Sequence, residues 1–271
     1  MLAAISFLYI LTSMKRALQI GNGLSLIFAL AANFLVATQQ FNLPSIKAIS
    51  DTYATLLTPA AYAFSIWSLI YLLLIVFVAY QARDIAKPRE HNDLPQKIGP
   101  FFMVASVCNG LWTFVFVHEL MGLSVALLLV LVGSLYILLW RLRIATYDAP
   151  LRIIACVWWP LMIYTGWVTV AAVANVFSWL KALGITVSPL ATCVVLIGLA
   201  VGLLVLLAKR NVRELNLASI WGIFAIGVQQ IHESKTVAAT AFTVSSILLV
   251  AIAVHGYKNR RTNPLYTIHN P

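Results

Sequence analysis

Charge is scarce in this chain: Asp, Glu, Lys and Arg make up 10% of its 271 residues. With a mean hydropathy of +0.93, that scarcity excludes an ordinary soluble domain. Acidic groups are the rarest. The eight are Asp51, Asp84, Glu90, Asp93, Glu119, Asp148, Glu214 and Glu233, and each falls in a loop or at the end of an apolar stretch. Proton- and ion-coupled transporters keep ionisable groups within the membrane to match a moving charge, and this chain has none at mid-stretch. It also lacks a Gly-rich phosphate loop, a zinc-ligand spacing and a Ser-centred nucleophile turn. Cys108, Cys156 and Cys193 sit at three unmatched depths, so they read as small packing groups rather than disulfide partners. The five histidines offer no pair on facing helices at one depth, which leaves no convincing haem or metal set. No cofactor is required on this reading.

What the chain does have is eight apolar stretches, at about 19–39, 61–82, 98–117, 121–142, 152–177, 187–208, 215–231 and 237–256. Most reach the ~20 residues that carry a helix across a ~30 Å hydrocarbon core. The seventh is the shortest. The cations alternate about them. Fifteen of the 18 Lys and Arg fall on one side: Lys15, Arg16; Arg83, Lys87, Arg89, Lys97; Arg141, Arg143, Arg152; Lys209, Arg210, Arg213; Lys258, Arg260, Arg261. The other side holds Lys47, Lys181 and Lys235. The pattern predicts an all-α integral membrane protein of about eight transmembrane helices, with both termini in the cytoplasm and a bacterial inner membrane as its location. The net charge of +10 then belongs to short loops meeting anionic lipid, and no nucleic-acid partner is expected.

Four segments follow: a cytoplasmic N-terminal segment 1–18, a five-helix bundle 19–179, three more helices over 180–257, and a polar tail 258–271. Residues 1–13 are too short to cross alone and lack the marks of a secretory signal, so they read as an upstream start or as an extension of the first helix. The third and fourth stretches, joined by a few residues around His118–Gly122, must form an antiparallel hairpin. Gly198-x-x-x-Gly202 permits close helix approach and makes a homodimer conceivable.

Polar groups inside a bilayer need partners. Asn33, Ser65, Asn109, Thr113, Thr165, Thr169 and Asn175 fall at mid-depth or toward the cation-poor end of their stretches. Trp67, Trp112 and Trp167 lie deeper than an interfacial belt, whereas Trp140 and Trp179 sit at stretch ends. Trp158 and Trp159, just before Pro160, can pack on lipid or on a Pro-induced bend. Large rings and uncharged hydrogen-bonding groups in one depth band suit a pocket for a flat, largely apolar ligand. Core packing of the tryptophans, and helix–helix bonds from Asn109 and Asn175, are the competing explanation.

Three segments resemble the translocator protein family, also called TspO or tryptophan-rich sensory proteins. Thr58-Pro59-Ala60-Ala61-Tyr62-Ala63-Phe64-Ser65-Ile66-Trp67-Ser68-Leu69-Ile70-Tyr71 is similar to the family's Pro-Pro-x-Trp run and its Val-Trp-x-x-Leu-Tyr. Asn109-Gly110-Leu111-Trp112-Thr113-Phe114-Val115-Phe116 matches its Asn-x-x-Trp-x-x-x-Phe. Trp167 followed by Asn175 matches its helix-five Trp and Asn. The likeness covers about residues 19–179; the last three helices have no counterpart in the five-helix pattern, which marks an extended branch. Ala60 stands where the family carries its second Pro, and Pro160 lies seven residues before Trp167.

The resemblance implies binding of porphyrins or other flat hydrophobic ligands among the first five helices, under a cap formed here by residues 40–60. It nominates Trp67, Trp112, Trp167, Asn109, Phe116, Ser65 and Asn175 as ligand-binding groups, with a tetrapyrrole as the possible ligand and breakdown of that ligand as a possible activity. Few cations stand on the cap side to meet a porphyrin's carboxylates. A transporter of an uncharged or lipid-like solute is the alternative, and the lack of an intramembrane acid or base argues against proton-transfer catalysis.

Overall fold

In the computed structural model, which describes residues 2–86 and 92–259, every apolar stretch is helical and no strand occurs among the described residues. The protein is an all-α membrane protein. Among the described residues, six helices are long and apolar enough to cross a bilayer: Ser13–Ala37, Ala61–Ile85, Met121–Arg141, Leu151–Ala182, Pro189–Lys209 and Lys235–Lys258. The two remaining stretches differ for local reasons. The third is broken by Gly99, at φ 59°, and Pro100, which separate a short α5 (Leu94–Ile98) from α6 (Phe101–Val117, 17 residues). The seventh, α11 (Arg213–Gln230), carries Asn216, Ser219 and Gln230 on a buried face, so protein rather than lipid surrounds its polar side.

The first helix, α1, runs from Leu2 to Ala37, so residues 2–18 extend it. The chain leaves it through Gln39, Phe41 and Asn42, all in the left-handed region that bulky side chains avoid. The long loop then folds back with a helix of its own, α2 (Ile46–Thr52), capped by Ser45 Oγ accepting from the Ala48 amide at 3.1 Å. A 3-10 turn, Ala61–Ser65, leads into α3 (Ile66–Gln81), and α4 (Arg83–Ala86) follows. The cations Lys87 and Arg89 and the polar tail beyond Asn259 lie outside the described residues.

At the cation-rich end, α1 and α3 are clasped by a buried polar network. Gln19 Nε2 donates to the Gln81 carbonyl at 3.1 Å and to Asp84 Oδ1 at 2.6 Å, while Gln81 Nε2 returns a bond to the Gln19 carbonyl at 3.1 Å. Asn22 and Asn92 join it, and Lys15 pairs with Asp84. A polar network of this kind, in which Asn22 Oδ1 alone lacks a partner among the described residues, fixes register where apolar packing alone would slide.

Helices α6 and α7 (Met121–Arg141) form the expected hairpin. The fifth span begins as α8 (Leu151–Ile153), widens into a π-turn over Ile154–Trp158, and continues through Pro160 as α9 (Trp159–Ala182). The π-turn is the discontinuity expected where a Pro removes a backbone donor. Trp158 is buried there against Tyr147, and Trp159 Nε1 donates to Glu214 Oε1 at 3.2 Å, so both rings pack on protein.

The last three helices, α10 (Pro189–Lys209), α11 and α12 (Lys235–Lys258), attach through α11, which lies along α9. Gly166 is the contact point: a Cβ there would collide with the Leu215 carbonyl. Ser219 Oγ seals the contact by donating to the Gly166 carbonyl at 3.0 Å. Gly222 and Gly227 extend the close approach to Val170 and Phe242. On α10, by contrast, Gly198 and Gly202 face open space within the chain.

Candidate functional site

Three deep tryptophans from three helices meet. Trp67 on α3 stacks on Tyr71 at 5.3 Å between ring centroids and on Trp112 of α6 at 6.4 Å. It meets Trp167 of α9 edge-on at 6.2 Å and Tyr164 at 6.1 Å. Phe116 stacks below Trp112 at 5.2 Å, and Phe64 meets Trp167 at 6.2 Å. Trp67, Trp112 and Trp167 are 9%, 5% and 2% exposed, so all three are interior groups.

The polar candidates divide. Asn175 accepts from Trp112 Nε1 at 3.4 Å and donates to Ser124 Oγ at 2.7 Å, which ties α6, α7 and α9 behind the rings. Asn109 Oδ1 accepts from Asn33 Nδ2 at 2.9 Å and from Tyr71 OH at 3.3 Å, joining α1 and α3 to α6. Thr113 and Thr165 bond back to their own helices. Ser65 stands apart: it is exposed at the start of α3 and outside the ring cluster. The indole N–H groups of Trp67 and Trp167 are buried and have no hydrogen-bond partner among the described residues. Two unmatched buried donors against a mostly apolar wall are what an acceptor on a bound molecule would satisfy.

Two spaces adjoin the cluster. The inner one, lined by Trp67, Trp112, Trp167, Phe116, Asn175 and residues of the cap, has a volume of about 50 Å³. That is scarcely more than the ~30 Å³ share of one water, so the rings fill their own cavity. The other is a groove of about 580 Å³ between the cation-poor ends of α1 and α3. Leu30, Asn33 and Phe34 form one wall, Trp67, Ser68 and Tyr71 the other, and Ser45–Lys47 of the cap its end. Its volume falls in the ~300–1,000 Å³ range of small-molecule sites. Phe64, Trp67 and Ile46 border both spaces and thus form the partition between them. Lys47, paired with Asp51, places a cation at the mouth of this groove.

The cap is held in place by α11 and the end of α9, a role the sequence did not disclose. Ala60 N donates to the Ala225 carbonyl at 3.0 Å, and Trp221 Nε1 to the Ala63 carbonyl at 3.0 Å. Tyr62 meets Trp221 edge-on at 5.2 Å. Lys181 Nζ donates to the Ala54 carbonyl at 2.6 Å, and Gln230 Nε2 to that of Thr55 at 3.4 Å. Tyr53 OH donates to Glu119 Oε2 at 2.7 Å, and that bond to a carboxylate pushes the phenol above its usual ionisation range.

A family model described as TSPO-like protein matches residues 19–254. The match runs past residue 179 and takes in the helices left unmatched by the five-helix pattern. Comparison with curated proteins and with solved structures returned no match for the chain. Because the matched region holds both the helices that bring the three tryptophans together and the helix that braces their cap, the chain belongs to the TSPO-like protein family.

Proposed function

We propose that this membrane protein binds a flat hydrophobic ligand of tetrapyrrole type in the groove between α1 and α3, with Trp67 as the stacking wall. The supporting observation is the pairing of that 580 Å³ groove with a tryptophan whose ring is packed but whose N–H is unmatched. Stacking on Trp67 and Tyr71 supplies affinity, and Asn33 and Lys47 offer polar contacts at the rim. The cation-rich end faces the cytoplasm, by the distribution of Lys and Arg.

Titration of detergent-purified protein with protoporphyrin, followed by tryptophan fluorescence, tests this. Saturable quenching that weakens in Trp67→Phe and persists in Trp140→Phe supports the groove. Quenching that is equal in both variants, or absent, contradicts it.

Transport of an uncharged, lipid-like solute is the second reading. The π-turn before α9 favours it, because a discontinuity nine residues ahead of Trp167 gives the fifth span a place to bend. Uptake of a solute into proteoliposomes without any porphyrin binding would select this reading.

A further inference from the structure

A second cavity lies at the opposite, cation-rich end, among helices that the groove does not use. It has a volume of about 400 Å³ and is bounded by the loop after α7, the start of α9, the α10–α11 turn and the end of α12. Lys209, Arg210 and Arg213 line it together with His255. Two carboxylates, Asp148 and Glu214, share the cavity, but neither lies within ion-pair distance of these cations among the described residues. Glu214 is instead held by the Trp159 indole at 3.2 Å, and Asp148 is exposed.

The two arginines are differently placed. Arg210 is fixed: its guanidinium lies 3.8 Å above the Trp140 ring and donates to the carbonyls of Leu139 at 3.0 Å and Ile144 at 3.4 Å. Its burial, and the nearby Arg143, push it below its usual ionisation range, so an anion beside it would relieve a standing cost. Arg213 is unengaged. Its Nε is buried without a hydrogen-bond partner, and the guanidinium rests against Gly256, where a Cβ would come within 3.1 Å of it. Arg213 also opens the first turn of α11, whose Val212 cap provides no side-chain acceptor for the free backbone N–H groups. Cation, unmatched donor and uncapped helix start therefore converge on one space.

We propose that this cavity binds a phosphate group, carried either by an anionic lipid headgroup or by a small soluble anion, with Arg213 as its principal contact and Lys209 as its second. The apolar wall of Ile154, Trp158 and Met162 beside the cations matches a molecule with a charged head and an apolar stem. Basic pockets between membrane helices at the cation-rich side are where such headgroups bind.

The test uses full-length protein, delipidated in a neutral detergent, with thermal unfolding followed as phosphatidylglycerol, phosphatidylcholine or inorganic phosphate is added. The proposal predicts a rise in midpoint of several degrees with phosphatidylglycerol and none with phosphatidylcholine, reduced by at least half in both Arg213→Gln and Lys209→Gln. A matching rise with inorganic phosphate alone identifies a soluble anion as the source; its absence identifies the lipid. Native mass spectrometry of retained phosphatidylglycerol, compared between wild type and Lys209→Gln, decides the matter if Arg213→Gln does not fold. No rise with either anion, or an equal rise and equal retention in the variants, overturns the proposal.

Discussion

The indole of Trp67 meets that of Trp167 edge to face, at 86° with 6.2 Å between centroids, and neither ring nitrogen has a partner among the described residues. The pair spans α3 and α9, so it packs the bundle, and its Trp67 member also forms part of the partition beside the groove. Packing and recognition can be separated by the choice of substitution. Trp67→Phe keeps a ring but deletes the unmatched donor together with the rest of the five-membered ring, leaving a small cavity that should cost about 1–2 kcal/mol. Trp67→Ala removes a buried ring and should cost about 3–5 kcal/mol. A loss in Trp67→Phe as large as that in Trp67→Ala would show that the N–H is already satisfied.

The cap depends on α11. Trp221→Phe deletes the donor to the Ala63 carbonyl while retaining a ring against Tyr62. Net loss should be about 1 kcal/mol, concentrated in the loop. Hydrogen exchange of amides 54–63 should accelerate, while α6 and α7 remain protected. Uniform acceleration across the chain would mean that the loop is not a separate unit.

Gly166 sets the distance between α9 and α11. Gly166→Val places two methyl groups where the Leu215 carbonyl lies, and should destabilise by about 1–3 kcal/mol or more. Gly198→Val, which points into open space, should be nearly neutral in the monomer. Denaturation of the two variants side by side measures the difference.

Asn109 gathers α1, α3 and α6 through one oxygen. Asn109→Ala leaves Asn33 and Tyr71 without their shared acceptor inside the bundle, at about 1–3 kcal/mol. Asn33→Ala should cost less, because Tyr71 keeps its bond. Thermal midpoints of the two variants test the order.

The sequence was informative where the physics is local or one-dimensional. Hydropathy and cation alternation located the helices, since crossing a bilayer constrains length and flanking charge directly. Depth placed Trp67, Trp112 and Trp167 in one band, and they do meet. Rotation about each helix was less legible. Ser65, at the right depth, proved exposed, and Asn175 proved to be bonded to Trp112 and Ser124. The groove was hidden for the same reason: it lies between the faces that α1 and α3 turn to each other beyond the Gln19–Gln81 clasp. Long-range partnerships such as Trp221 with Ala63, separated by 158 residues, leave no periodic trace. Gly166 was a weak signal that could have been read, as a small residue beside a deep tryptophan in a buried helix.

The central claim is that ligand occupies the groove between α1 and α3 rather than the small inner cavity. Filling each space in turn tests it most directly, by measuring protoporphyrin affinity for Ser68→Phe, which projects into the groove, and Ala174→Val, which fills the inner cavity. The account predicts at least a tenfold loss of affinity in Ser68→Phe and little change in Ala174→Val. Undiminished binding in a folded Ser68→Phe variant, with loss in Ala174→Val, would contradict it.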